Sequence, residues 1–267
     1  MKTLVFANQK GGVGKSAIAA QLAHYSAKRG LRVLFIDLDH QCNASKSLIH
    51  SGLTSVVTEN TSAFLDQNSF AIPDGDFVVM GGDHGLKLIE KQPDKHGAFV
   101  NNLHQFIANQ AQRFDLCIID TNPNPEIRYG SALIVANFIV SPVQLNQEAL
   151  DGISALINDP QYGLNNIQAT LNPSLELIGI LPNLVEPTPF QKSNFAQLAA
   201  SFSHLLIKTG IDAKPFAFIP KRTAIAEAMA ANKPLYDLPK TSARDAWQEI
   251  KPFFDVILSR MNLEPQC

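Results

Sequence analysis

The chain has 267 residues, with 22 Lys plus Arg against 24 Asp plus Glu, a formal charge of −2, and 45% hydrophobic against 17% charged residues. That composition argues against a disordered chain, no apolar run reaches the roughly 18 residues of a membrane-spanning helix, and a near-neutral balance excludes a coat of nucleic acid by net charge alone. The three cysteines, Cys42, Cys117 and Cys267, fit neither a disulfide framework nor a paired metal motif and point to a reducing cytoplasm, and the start MKTLVFANQKGG is too short in apolar content for a signal peptide.

In chain order, continuous apolar runs stand at 4–7, 33–36, 77–80, 116–119, 138–140, 177–180 and 216–219. A run without polar alternation fits a strand covered on both faces, as in a parallel sheet. Helical spacing intervenes, for example Ile18, Leu22 and Tyr25, and later Phe195, Leu198, Phe202 and Leu205. The stretch from His50 to Gly82, rich in Ser, Thr and Asn, reads as helix and loop decoration leading into the strand at 77–80. Strand–helix alternation predicts a doubly wound, mostly parallel α/β sheet flanked by helices. With no repeat, low-complexity tract or linker, residues 1–267 are expected to form one domain.

The first strand runs directly into Lys10-Gly11-Gly12-Val13-Gly14-Lys15-Ser16, with a helix expected from about Ala17. Glycines let backbone N–H groups turn toward a phosphate, and the helix adds its free N–H groups and positive end. Lys15 suits the β- and γ-phosphates and the Ser16 hydroxyl suits Mg²⁺, as in the pattern GxxxxGK[ST]. The match is incomplete, because Gln9 stands where that pattern has its first Gly, and Lys10 is an additional lysine. A Gly-rich turn with two surface lysines is the bland alternative, and the strand–loop–helix context disfavours it.

These residues, led in by Ala7-Asn8-Gln9, resemble the deviant Walker A loop of the ParA/MinD family of P-loop ATPases. The resemblance implies that Gly11, Gly12, Val13, Gly14, Lys15, Ser16 and Ala17 cradle ATP or ADP with Mg²⁺. It also implies that Lys10 reaches across a nucleotide-sandwich homodimer to phosphates bound by the partner, somewhat as an arginine finger does. Asp37-Leu38-Asp39-His40-Gln41-Cys42-Asn43 resembles the family's DxDPQxN segment, with His40 in place of Pro and Cys42 in place of a frequent Gly. By resemblance, Asp39 orients or activates the attacking water and Asp37 supports Mg²⁺ through its water shell. Asp120, closing the apolar run 116–119, has the Walker B position for Mg²⁺; Asn122 departs from the family's DxPP.

In the second half, 179–183 and 218–220 resemble the segments that hold adenine, with Asn183 at the base edge and Pro220 beside the ring; an ordinary strand exit is the alternative. Residues 181–260 carry ten Lys or Arg against seven Asp or Glu, and Lys192, Lys221, Arg222, Lys233, Lys240 and Arg244 are candidates for nonspecific contact with DNA phosphates. Solvated surface cations are the plainer reading of each. The resemblance implies a switch that partitions or positions a plasmid or chromosome. ATP drives dimerisation, the dimer binds the nucleoid, and a centromere-binding or adaptor protein stimulates hydrolysis. Starting at the first strand, the chain is expected to be a short form without a helix-turn-helix module. A MinD-like membrane regulator would call for a basic amphipathic tail, whereas 247–257 contains Pro252 and few cations and is expected on the core, with no stable membrane insertion. An iron–sulfur reductase of related fold would need exposed paired cysteines, which the three positions do not offer.

Overall fold

Parallel strands cannot be joined by tight hairpins, so each apolar run must be followed by a crossover that returns to the same end of the sheet. The computed structural model describes residues 1–209 and 215–263, leaving Cys267 outside the described residues. Seven strands are β1 (Lys2–Phe6), β2 (Val33–Asp37), β3 (Ser55–Val56), β4 (Phe77–Met80), β5 (Leu116–Asp120), β6 (Phe138–Gln144) and β7 (Glu176–Asn183). They lie in the order β3-β4-β2-β5-β1-β6-β7, and their pairings are parallel. The described helices are α1 (Lys15–Lys28), α2 (Asn43–His50), α3 (Leu86–Ile89), α4 (His96–Asn109), α5 (Ile127–Val135), α6 (Ala149–Asn158), α7 (Leu164–Thr170), α8 (Pro189–Phe202), α9 (Thr223–Ala230) and α10 (Thr241–Arg260), besides short 3₁₀ turns.

Because successive strand side chains point to opposite faces, each central strand feeds two cores. Leu4, Phe6, Val33, Phe35, Leu116 and Ile118 face one side, where they meet Leu22 of α1, Ala228 of α9 and Phe254 of α10. Val5, Leu34, Ile36, Cys117 and Ile119 face the other, against Phe99, Leu103 and Phe106 of α4 and Tyr129 of α5. Burying each large apolar side chain contributes about 1.5–3 kcal/mol relative to exposure, which is why the strands read as unbroken apolar runs. A smaller cluster joins Val143, Ile153, Ile180 and Leu198 under α6 and α8.

Two expectations are corrected. Residues 216–219 do not form a strand of the sheet. They are extended and tied by single bonds: Ala217 N–H to the Ile207 carbonyl at 2.8 Å, and Ile219 N–H to the Pro182 carbonyl at 2.8 Å. Pro215 and Pro220 bound the run and have no N–H to donate, and pairing there is confined to isolated bridges, Lys208 with Phe216 and Val185 with Pro220. The helical spacing 195, 198 and 202 lies on α8, but Leu205 lies beyond its end and Leu198 is the buried residue of that helix. The stretch 50–82 does lead into β4, with the two-residue edge strand β3 and a 3₁₀ turn at Thr61–Leu65 on the way. In α10, Ala246, Ile250, Phe254 and Ile257 are buried, so the apolar side of the tail packs on the core despite Pro252.

Since β1 lies between β5 and β6, the chain leaving its carboxyl end opens into the crevice where open α/β sheets bind ligands. Asp37 and Asp120 are aligned in register at the ends of the neighbouring strands β2 and β5.

Candidate functional site

The loop between β1 and α1 is anchored before it is charged. Asn8, buried at the exit of β1, donates through Nδ2 to Ser141 Oγ at 3.1 Å and to the Pro142 carbonyl at 3.0 Å, and its Oδ1 accepts the Lys10 N–H at 2.8 Å. The turn then needs left-handed backbone at Gly12 (φ 74°) and Gly14 (φ 89°), and Gly14 forms the N-cap of α1. The helix begins at Lys15, two residues earlier than the sequence indicated. The resulting cavity of about 520 Å³ is lined by loop residues 11–17 together with Asp39, Thr121 and Met229.

Lys15 is buried, and its Nζ donates to the Asn8 carbonyl at 3.0 Å and the Lys10 carbonyl at 2.9 Å. Burial pulls its pKa down, against the opposing pull of Asp120 and Asp39. An ammonium held on two carbonyls of its own loop is pre-placed to exchange them for phosphate oxygens, which are better partners for it.

The acids divide their work. Asp37, fully buried, already accepts from the Asp39 N–H at 2.9 Å, the Ser45 N–H at 3.0 Å and the Ser45 hydroxyl at 2.6 Å. Burial raises its pKa to about 6, in spite of those bonds. Its carboxylate thus holds the loop after β2 on the start of α2, and Ser45, which the sequence reading did not single out, is its partner. Asp39 accepts the Gln41 N–H at 2.9 Å and lines the phosphate cavity.

Asp120 is the contrasting case, fully buried with neither carboxylate oxygen hydrogen-bonded. Burial first, then the Asp37 charge, pushes its pKa well up; the Ser16 hydroxyl and Lys15 oppose this without supplying a completed bond. A buried carboxylate with no partner is costly unless something positive fills its place. Asp120 beside Ser16 therefore fits a Mg²⁺ site through oxygen donors or coordinated water, whereas the oxygens of Asp37 are already engaged.

The remaining candidates are less convergent. Lys10 does not line the cavity of its own loop; its Nζ pairs with the exposed Glu148 and lies 3.5 Å from Asn146 Oδ1. Asn183 donates through Nδ2 to the Val13 carbonyl at 2.7 Å, leaving a buried Oδ1 without a partner. Pro220 lies apart from the phosphate cavity, along a neighbouring cavity of about 670 Å³ with Val185, Phe195 and Phe218. Of the basic candidates, Lys221 pairs with Glu186 at 3.0 Å, Lys240 with Glu227 at 2.8 Å, and Arg222 with Glu249. Lys192, Lys233 and Arg244 are exposed, and no ion pair of theirs occurs among the described residues.

The family model described as an AAA domain matches residues 1–177. The chain is 32% identical to the chromosome-partitioning ATPase Soj of Thermus thermophilus over 91% of this chain and 90% of that protein. The chain belongs to the ParA/MinD family of P-loop ATPases. It is also 31% identical to Protein IncC of Escherichia coli over 98% of this chain and 71% of IncC. Among solved structures, an ATP complex of Cyanothece McdA superposes with a TM-score of 0.78 at 18% identity, covering 100% of this chain and 98% of that one. Cobyrinic acid a,c-diamide synthase from Mycobacterium smegmatis, with bound ADP and magnesium, gives 0.73 at 23% identity over 98% and 96%. At these identities the superpositions speak to fold alone.

Proposed function

We propose that this chain is a partition or positioning ATPase that works as an ATP-dependent dimerisation switch on DNA. One observation carries the reading. The loop bears two lysines, and only Lys15 is directed into its own phosphate cavity, whereas Lys10 is held outward on an exposed acid. A cation so placed supports a role in trans, offsetting charge on a phosphoryl group only when two subunits meet. ATP binds through the amides of residues 11–17 and Lys15, and Ser16 and Asp120 would hold the accompanying Mg²⁺. Asp39 orients the water that attacks the γ-phosphate, and Asn183 Oδ1 receives the base edge. A Mg²⁺ held there would offset charge on the transferring group.

The dimer binds nonspecific DNA of the nucleoid and releases it when an adaptor protein stimulates hydrolysis. Pairing of Lys221, Arg222 and Lys240 with neighbouring acids moves the weight of that surface onto Lys192, Lys233 and Arg244. The names of Soj and its partition activity support the DNA reading. Against a membrane-bound variant stands α10, whose apolar residues are already committed to the core.

Phosphate release and sizing in the presence of ATP test the assignment together. Lys15→Ala loses nucleotide binding, Asp39→Ala retains ATP and accumulates as a dimer, and Lys10→Ala binds ATP without forming an active dimer. A monomeric, ATP-loaded Asp39→Ala protein contradicts the switch, and unchanged stimulated turnover of Lys10→Ala contradicts its role in trans.

A further inference from the structure

Arg128, in the first turn of α5, is buried to 3% side-chain exposure and reaches the N-cap of its own helix and two other segments. Its Nε donates to Glu90 Oε1 at 3.0 Å, just past α3. Its Nη2 donates to Glu126 at the start of α5. Its Nη1 lies 3.1 Å from His40 Nδ1, in the loop after β2. Arginine has no acceptor and does not lose its proton, so His40 must present Nδ1 as a lone pair and carry its proton on Nε2. The same Nδ1 lies 3.5 Å from Asp39 Oδ1.

On its far side the network continues to the loop after β5. Glu126 Oε2 also accepts from Asn122 Nδ2 at 3.2 Å, two residues beyond Asp120, and Glu90 Oε2 accepts the Ile127 N–H at 3.2 Å. His40, Arg128, Glu126 and Asn122 are therefore one connected polar path between the two loops that flank the phosphate cavity, and Asp39 joins it through its peptide bond to His40, because an Nδ1 that accepts from Arg128 has no hydrogen to offer the Asp39 carboxylate. His40 and Asn122 are both positions where the sequence departs from proline, and proline could make neither contact. A buried guanidinium among carboxylates is weak evidence for stability, since desolvation offsets the pairing; its clearest use is to fix one geometry.

We propose that Arg128 is a positioning residue: through His40 and Glu126 it locks the Asp39 loop to the loop after β5, so that both move as one body. The lock rests on the reading of Asp39 as the residue that orients the attacking water. It keeps Asp39 in register with Asp120 while the nucleotide exchanges, and because a small misplacement of a reacting group is expensive, loosening the lock lowers turnover rather than binding.

Two measurements on the full-length protein test this. Glu126→Gln is nearly isosteric at a half-exposed side chain, and so preserves the fold while weakening the path at the end remote from Asp39. Hydrogen exchange is then read at the Gln41 and Cys42 amides, which donate to Asp39 Oδ1 and to the Asp39 carbonyl. The lock predicts that exchange there rises about tenfold; a change confined to residues 122–128 overturns it. In the second arm, His40→Ala lowers kcat about tenfold with ATP affinity unchanged, His40→Asn restores most of it because its amide oxygen replaces Nδ1 as acceptor, and Glu126→Gln adds little on top of His40→Ala. Independent, multiplicative effects on kcat overturn the lock. If the wild-type protein turns over no ATP, the ATPase reading fails, and the exchange arm alone decides the lock.

Discussion

Gly14 is the residue at which the phosphate loop and the second half of the chain come closest. A Cβ built there would lie 2.2 Å from Asn183 Nδ2 and 3.5 Å from its Cγ. Asn183 cannot swing away cheaply, because it is 3% exposed and Nδ2 donates to the Val13 carbonyl at 2.7 Å. Gly14→Ala therefore combines left-handed strain at φ 89°, costing about 1–2 kcal/mol, with loss of a buried hydrogen bond, costing about 1–3 kcal/mol. The sum is a destabilisation of about 2–5 kcal/mol in urea unfolding of the nucleotide-free protein. In an Asn183→Ala background the collision disappears and only the strain remains, so the two substitutions should couple by about 1–3 kcal/mol. Additivity within about 0.5 kcal/mol would refute the packing argument.

Asp120→Asn should stabilise the nucleotide-free protein increasingly with pH. Burial and Asp37 raise the native pKa of Asp120, so below the ordinary carboxylate value of 3.8 both folded and unfolded chains hold the proton and the advantage is absent. As pH rises above that value the unfolded wild-type chain ionises first, which lowers wild-type stability. Thermal unfolding of the pair from about pH 4 to pH 7 reads the widening gap, and a constant gap contradicts it. Cys42, at φ 58°, caps α2 in a conformation that favours glycine. Cys42→Gly should raise stability by up to about 1 kcal/mol, and a loss of that size would show that its buried side chain outweighs the strain.

The sequence reading was surest where function and fold are local. The glycines, Lys15 and Ser16 are contiguous, Asp37 and Asp120 each close an apolar run and Asp39 stands two residues past Asp37, so strand ends could be placed from the apolar runs alone. What it missed was made by tertiary contact. Nothing near Arg128 in the chain announces Glu90 or His40, and nothing near Lys10 announces Glu148. The run 216–219 has strand composition, but its bounding prolines and the available partners decided its pairing. Lys221, Arg222 and Lys240 read as free cations because their acids lie 13 to 35 residues away in the chain.

The opening charge of −2 excluded a constitutive DNA coat; it leaves room for a patch that doubles when two subunits meet. The most direct test is binding of nonspecific duplex DNA by ATP-loaded and ADP-loaded protein across a salt series. The account predicts binding with ATP that weakens steeply with salt and little binding with ADP. Equal binding in both nucleotide states, or none in either, would contradict it.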